Sequence, residues 1–377
     1  MHRSLSLSLS LSGVAALALA NAPLLPAAAQ DADTAEDLGG VMSISLKDIV
    51  KPNIGFQGAL QGAGTPNQAG IGGFLPLSVG ENSVWYLDAL VNVSFAARDG
   101  ESSIIHTDVD GGFSTSTRLG HRWLNGDRSW MYGLNAGYDT RTIASGDADT
   151  NIPVFDKQTI FFNQIAINAE AVSNSWTFNG YGLIPFGDVE QKLNSFYDAG
   201  ALNTYGLDVG YFITPQLHAS AGYYNQHGDD ITANNGSGLR LEVEYEISSS
   251  LTIGINASYD EAFETRLSAN IDYRFGTGKA TTTTEKKAWE KPTIQSLTKA
   301  IEHRNIRVHD AVHRISRDAC NLGNQTTGIS QYQLQKGKTK KGDKIDQTYH
   351  CGQFVTQTGG ANTYTVWAST RFTSINE

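Results

Sequence analysis

"STRLGHRWLNGDRSWMYGLNAGYDT", Ser116 to Thr140, alternates apolar residues with polar residues or glycine on both sides of a short polar break. Leu119, Trp123, Tyr132, Leu134 and Tyr138 fall on one side of the alternation, and Arg118, Arg122, Gly133 and Asn135 on the other. A period of two marks strands with unlike faces, and the polar run from Asn125 to Ser129 is turn chemistry, so the stretch reads as a hairpin. A soluble protein with one half-buried sheet could show this once. Recurrence along the chain decides the fold.

The pattern does recur. From Asn53 to Gly276 about twelve alternating segments follow one another, each near the ten residues that a tilted strand needs to cross a bilayer. In "LRLEVEYEI" Leu239, Leu241, Val243, Tyr245 and Ile247 oppose Arg240, Glu242, Glu244 and Glu246. "LTIGINASYD" repeats the theme, and in "TRLSANIDYRF" Leu267, Ala269, Ile271, Tyr273 and Phe275 oppose Arg266, Ser268, Asn270, Asp272 and Arg274. Tight turns ("VGEN", "NGDRS", "SNS", "TPQ", "SSS") alternate with connections that are mostly long and polar, as in Ala97 to Phe113, Thr140 to Gln158, Gly187 to Leu202 and Gln226 to Ser237. Short turns at one end and long loops at the other fit a bacterial outer-membrane barrel better than a soluble sandwich, whose outward face would be charged. Trp85, Trp123, Trp130, Trp176, Tyr132, Tyr138 and Tyr223 lie near strand ends, where membrane barrels place aromatic girdles. The expected fold is all-β, an antiparallel up-and-down barrel of about twelve strands over residues 53–276.

Composition agrees. The 377 residues include only 18% charged residues but 39 Gly, 15 Tyr and 15 Phe, and the net charge of −10 excludes nucleic acid as the main partner. His2 and Arg3 lead an apolar run ending in "AAA", read as a signal peptide over residues 1–29 cleaved after Ala29. Residues 30–52 would form a periplasmic segment. With an even strand number and a periplasmic N-terminus, the short turns face the periplasm, the long loops face outward, and the last strand ends at Phe275 on the periplasmic side.

After Gly276 the composition shifts to a polar linker, then "TIQSLTKAIEH", which reads as a helix with Pro292 and Thr293 at its start. Half of the Lys and Arg residues lie between Lys279 and His350, so a basic tail follows an acidic barrel. Arg118, Arg122, Glu170, Asp208, Arg240, Glu242, Glu244, Glu246, Arg266, Asp272 and Arg274 take the polar side of their strands and are expected to line the lumen, with Asp88 among them. The linker and helix of residues 277–316 would lie inside it, since a helix is about 10–12 Å across. Residues 317–377 would form a short C-terminal passenger-like segment. It holds Cys320 and Cys351, whose disulfide would close a loop of about 30 residues and stabilise the segment by roughly 3–4 kcal/mol, unless both stay free or pair between molecules.

The opening stretch resembles the "LG.G.RW…W..G.N.F.DYD" segment in the β-domain of inverse autotransporters, the intimin and invasin family, through Leu119, Gly120, Arg122, Trp123, Trp130, Gly133, Asn135, Tyr138 and Asp139. "GFLPLSVGENSVWYLDALVNVSF", "FNGYGLIPFG" and the three final strands are similar to further segments of that domain, and "IEHRNIRVHD" resembles its "VERN..I.V" with His303 as an extra residue. The resemblance implies a barrel inserted by the outer-membrane assembly machinery with the help of periplasmic chaperones. It would anchor and translocate its own C-terminal segment to the cell surface, adhesin-like, toward a surface receptor that the sequence does not name. A porin-like channel with a periplasmic or plugging tail is the alternative. In either case the location is the outer membrane and the barrel's first partner is lipid.

No enzyme, cofactor or metal is expected. "HDAVH", His309 to His313, has zinc-motif spacing, but Asp310 stands where Glu would be the general base and Val308, Val312 and Ile315 suit a strand equally. Asp108 and Asp110 in "HTDVDGG" lack the distal bidentate Glu of a calcium loop. "GTGKAT" and "GIGG" lack phosphate-loop and dinucleotide context, and the run from Lys336 to Lys344 reads as a solvated face.

Overall fold

The computed structural model describes residues 45–60, 62, 64–95, 104, 107–148, 156–194, 197–228, 235–248, 250–275 and 291–312, and the backbone of short strands between 331 and 374. The signal segment with Ala29, the linker 276–290, Cys320 and His313 lie outside the described residues.

Twelve strands close into one antiparallel barrel. They are β1 (Asn53–Ala59), β2 (Asn67–Val79), β3 (Ser83–Phe95), β4 (Thr107–Leu124), β5 (Trp130–Ala148), β6 (Thr159–Ser173) and β7 (Trp176–Phe186), then β10 (Asn203–Thr214), β11 (Leu217–His227), β12 (Gly236–Ser248), β13 (Leu251–Asp260) and β14 (Glu264–Phe275). Each pairs with its neighbour in sequence, and β1 pairs with β14 from Ile54↔Phe275 to Ala59↔Asn270, so no edge is left open. Between β7 and β10 a small hairpin, β8 (Glu190–Lys192) and β9 (Tyr197–Ala201), stands at the long-loop end.

The alternation sorts as read. Leu119, Leu134, Ile165, Leu207, Leu241, Ile255 and Leu267 are exposed on the outer wall, while Arg118, Arg122, Asn135, Asp208, Glu242 and Glu244 are buried in the lumen. At the short-turn end the outward aromatics touch in series: Trp85 and Trp123 flank His121, and Tyr132, Trp130, Phe178, Trp176 and Tyr211 continue the band across β5, β7 and β10. Even strand number, nearest-neighbour pairing, alternating turn lengths and an apolar outer belt are the architecture of an outer-membrane β-barrel.

The turn that opened the sequence reading is built by its own side chains. Asn125 accepts from the Trp130 backbone, Arg128 sits at φ 57°, and its guanidinium reaches Asn82 at 2.9 Å in the next turn. Hydrogen bonds donated by the Ser129 hydroxyl and backbone hold the Asp127 carboxyl below its usual range.

Two expectations are corrected here. Ala97–Phe113 and Thr140–Gln158 are not loops throughout, because β4 begins at Thr107 and β5 runs to Ala148. The added length is held by pairing between the two strands, with Thr115 and Thr140 hydroxyls 2.7 Å apart, and by packing of Val109 and Ile143 against Ile160, Phe162, Leu193, Tyr197 and Ala199. Asp108 and Asp110 are thus strand residues. Nor is "TIQSLTKAIEH" a helix of that length: after α1 (Leu46–Ile49) near the N-terminus, α2 spans only Pro292–Gln295.

Tyrosines in the lumen need glycines beside them. Tyr86 lies over Gly120 on β4, Tyr181 over Gly206 and Tyr224 over Gly238, each so close that a Cβ on the glycine would overlap the ring. Gly120→Val is therefore expected to destabilise the barrel by about 1–3 kcal/mol through overpacking, measured as a shift of the urea midpoint of refolding into micelles. Gly126, with nothing within 4 Å of its Cβ position, is the control: Gly126→Ala should move the midpoint by no more than about 0.5 kcal/mol. Equal losses at both positions would refute the packing argument.

Candidate functional site: the occupied lumen

The lumen holds the chain's own residues 291–312. They enter at the short-turn end, where Thr293 donates to Asn174 in the β6–β7 turn at 3.4 Å and Gln295 donates to Glu246 near the end of β12 at 3.4 Å. They leave at the long-loop end, where the Val308 N–H donates to the Gly64 carbonyl at 3.3 Å and that of Leu202 donates to the Arg307 carbonyl at 2.9 Å. There β15 (Val308–Val312) adds to β9 in antiparallel register, Val308↔Ala201 to Val312↔Tyr197. His309 thus sits in a strand, its ring bonded to the carbonyls of Ala262 and Asp310, and the helical face that would juxtapose two imidazoles does not form over Val308–Val312.

At both mouths the tail packs against apolar residues of the wall. At the short-turn end Ile294, Leu297 and Ile301 of the tail meet Leu46 and Val50 of the α1 segment, against Phe74, Tyr86, Leu124, Met131 and Val172 of the wall. At the other end Ile306 and Val308 join the cluster built on β4, β5, β6 and the β8–β9 hairpin. Burial at the two ends fixes the tail axially, since sliding in either direction would expose apolar surface.

Between the two apolar clusters the contacts are charged. Lys299 pairs with Glu244 at 2.7 Å, His303 with Asp208 at 2.8 Å and Arg304 with Asp88 at 2.6 Å. His303 also stacks on Tyr181 with ring centroids 3.7 Å apart, and Arg307 lies over Tyr224 at 4.1 Å. The basic tail therefore meets acidic groups on β3, β10 and β12. The wall carries its own pairs: Arg118 with Asp139, Arg122 with Glu170, Arg240 with Glu242 and Arg274 with Asp272. Glu246 holds Gln295, and Arg266 donates to the Phe263 carbonyl. Of the charged residues placed on the polar side of the strands, Asp88, Arg118, Arg122, Asp208, Glu242 and Glu244 are buried.

The motif residues divide by face. Leu119, Trp123, Trp130 and Tyr138 face outward, while Gly120, Arg122, Gly133, Asn135 and Asp139 serve the lumen, Gly133 giving room to the Glu170 side chain. Sequence reasoning missed Arg141, placed then in a loop, whose guanidinium donates to the carbonyls of Gly64 and Ile306. The signal for it was parity: 133, 135, 137, 139 and 141 continue one face of β5. It also missed α1, for which Leu46, Ile49 and Val50, spaced three and four apart, were the available sign.

Among the described residues, Asp208, Glu302 and His303 bring three possible metal-ligand atoms together. Arg240 lies 3.8 Å from Asp208 and 4.0 Å from Glu302, supplying the positive charge that an ion would bring. The cluster reads as part of the tail's seat.

No protein-family model and no curated protein matches the chain. Several solved structures are similar. A chain from work on the in-meso crystallization of membrane proteins is 14% identical with a TM-score of 0.48, covering 69% of this chain and 100% of that one. The KdgM porin is 9% identical with a TM-score of 0.34 (59% and 99% covered). Outer membrane phospholipase A from Escherichia coli is 12% identical with a TM-score of 0.34 (62% and 97% covered). At such identities and scores the likeness assigns neither family nor activity to this chain.

Proposed function

We propose that the protein is an outer-membrane anchor and export conduit of inverse-autotransporter type, whose barrel carries its own C-terminal segment to the cell surface, where that segment acts in adhesion. One observation carries this reading: residues 291–312 run through the lumen from the short-turn end to the long-loop end, so the chain beyond Val312 starts at the long-loop mouth. In outer-membrane barrels short turns face the periplasm and long loops face outward, so on this reading that mouth opens at the cell surface. The apolar packing of the tail at both mouths and the charge match between tail and wall support a chain that has stopped at a defined register.

Proteolysis of intact cells tests it. Protease added outside is expected to remove the segment beyond Arg314 and leave a smaller barrel fragment that still shifts its migration on heating. Cleavage in spheroplasts but not in whole cells would reverse the topology and end the export reading.

A porin-like reading draws on a different feature, a cavity of about 180 Å³ between the tail and β11–β14, bordered by Glu244, Glu246 and Asp272. Single-channel recording separates the two. A conduit filled by its tail conducts only once residues 279–377 are removed, and a porin conducts with the tail in place.

A further inference from the structure

Four arginines of the wall reach the tail in one manner. Arg274 donates to the carbonyl of Thr298 at 2.6 Å, Arg122 to that of Lys299 at 2.8 Å, Arg118 to that of His303 at 3.4 Å and Arg141 to that of Ile306 at 2.7 Å. The acceptors follow one another along the tail from one mouth toward the other. Every acceptor is a main-chain carbonyl, the one group that all residues present, proline included.

Three of the four donors are aimed by carboxylates of the wall. Glu170 holds the Arg122 guanidinium at 2.6 Å, Asp139 holds Arg118 through two bonds of 2.6 and 2.9 Å, and Asp272 holds Arg274 at 3.0 Å. Arg118 and Arg122 are each 1% exposed, so their geometry is fixed whichever residue lies opposite. The ion pairs of Lys299, His303 and Arg304, by contrast, need those side chains at those places.

We propose that Arg118, Arg122, Arg141 and Arg274 form a main-chain track, a binding site for non-helical polypeptide of any sequence, and that the side chains of Lys299, His303 and Arg304 only choose the register at which the chain stops. A chain that advances by a few residues brings new carbonyls to the same guanidiniums and loses every side-chain pair. The track rests on the export reading for its biological use, while its occupancy does not depend on export direction.

The test uses the full chain refolded in detergent, a broad-specificity protease, and mass spectrometry of the fragment carrying residues 296–306, with heat-shifted gel migration reporting a folded barrel. With Lys299→Gln, His303→Gln and Arg304→Lys together, the fragment should survive within about twofold of the wild-type lifetime. With Arg118→Met, Asp139→Leu, Arg122→Met and Glu170→Leu together, which removes the donors and their carboxylates, it should be cut at least about tenfold faster, the scale of a lost hydrogen bond to a charged group. Should that variant not fold, Arg141→Met gives a second reading, expected to speed cleavage at Ile306 while wild-type migration persists. Loss of protection in the tail variant, or wild-type protection in the folded variant of either arginine set, overturns the track. A protected lumen in cells that do not display the C-terminus would instead end the export reading and leave the track standing.

Discussion

Replacing Arg118 with leucine is expected to destabilise the folded barrel by about 3–5 kcal/mol, whereas Arg118→Met combined with Asp139→Leu should recover most of that loss. Both members of this pair are 1% exposed, and Arg118 donates to both carboxylate oxygens of Asp139, which also accepts from Gln164 at 2.8 Å. Removing the arginine alone leaves a carboxylate out of water with one neutral donor. Removing both leaves two apolar side chains of similar volume and ends the cost of desolvating the ions, so only the buried Gln164 amide, which loses its acceptor, counts against the double variant. Urea midpoints of refolding, followed by tryptophan fluorescence, read the difference. Equal losses in the single and double variants would mean that solvent reaches the pair, and the dry-lumen account would fall. The carbonyl of His303 loses its donor in both variants, so that contact cancels in the comparison.

The same pair shows where the sequence stops speaking. The alternation in Ser116 to Thr140 says which side chains share a face, because facing depends only on parity within a strand. It does not say that Arg118 pairs with Asp139 on β5 while Arg122 skips to Glu170 on β6, because that depends on how far each strand is offset from its neighbour, a property of the whole closed sheet. For this reason the lumen-facing residues were legible and their partners were not. The barrel's twelve strands were legible for a similar reason, since each carries its own period.

Elements that carry no period of their own were misread. The three residues of β8 and the Tyr197–Ala201 strand hold no alternation to detect, and they become strands because β15 and the apolar cluster at the long-loop mouth give them something to pair with and cover. The tail failed in the opposite direction. "TIQSLTKAIEH" has helical composition, but inside the lumen its residues are held by the wall, and tertiary contacts override propensity. The hairpin around Asn125–Ser129 was read correctly because its turn is made by nearby residues, with Asn125, Asp127 and Ser129 bonded to one another.

Val243→Arg carries the other large expected effect, and it separates a lipid-facing wall from a wet one. Val243 lies midway along β12, paired with Ala219 on one side and Ile255 on the other, and its side chain is on the outer wall. In a bilayer an arginine at mid-depth costs about 2–4 kcal/mol, because the guanidinium must drag water inward or strain to reach the interface. Ile247, four residues on in the same strand and facing the same way, lies next to the short turn, where an arginine extends into the headgroups and costs about 0–1 kcal/mol. On a water-exposed sheet both substitutions would stay within about 0.5 kcal/mol, since neither removes a buried contact. Refolding midpoints in lipid vesicles for Val243→Arg and Ile247→Arg therefore give a depth profile in two points. A gap of at least about 2 kcal/mol places the centre of the apolar belt at Val243, and two equal small losses would show that the belt does not face hydrocarbon.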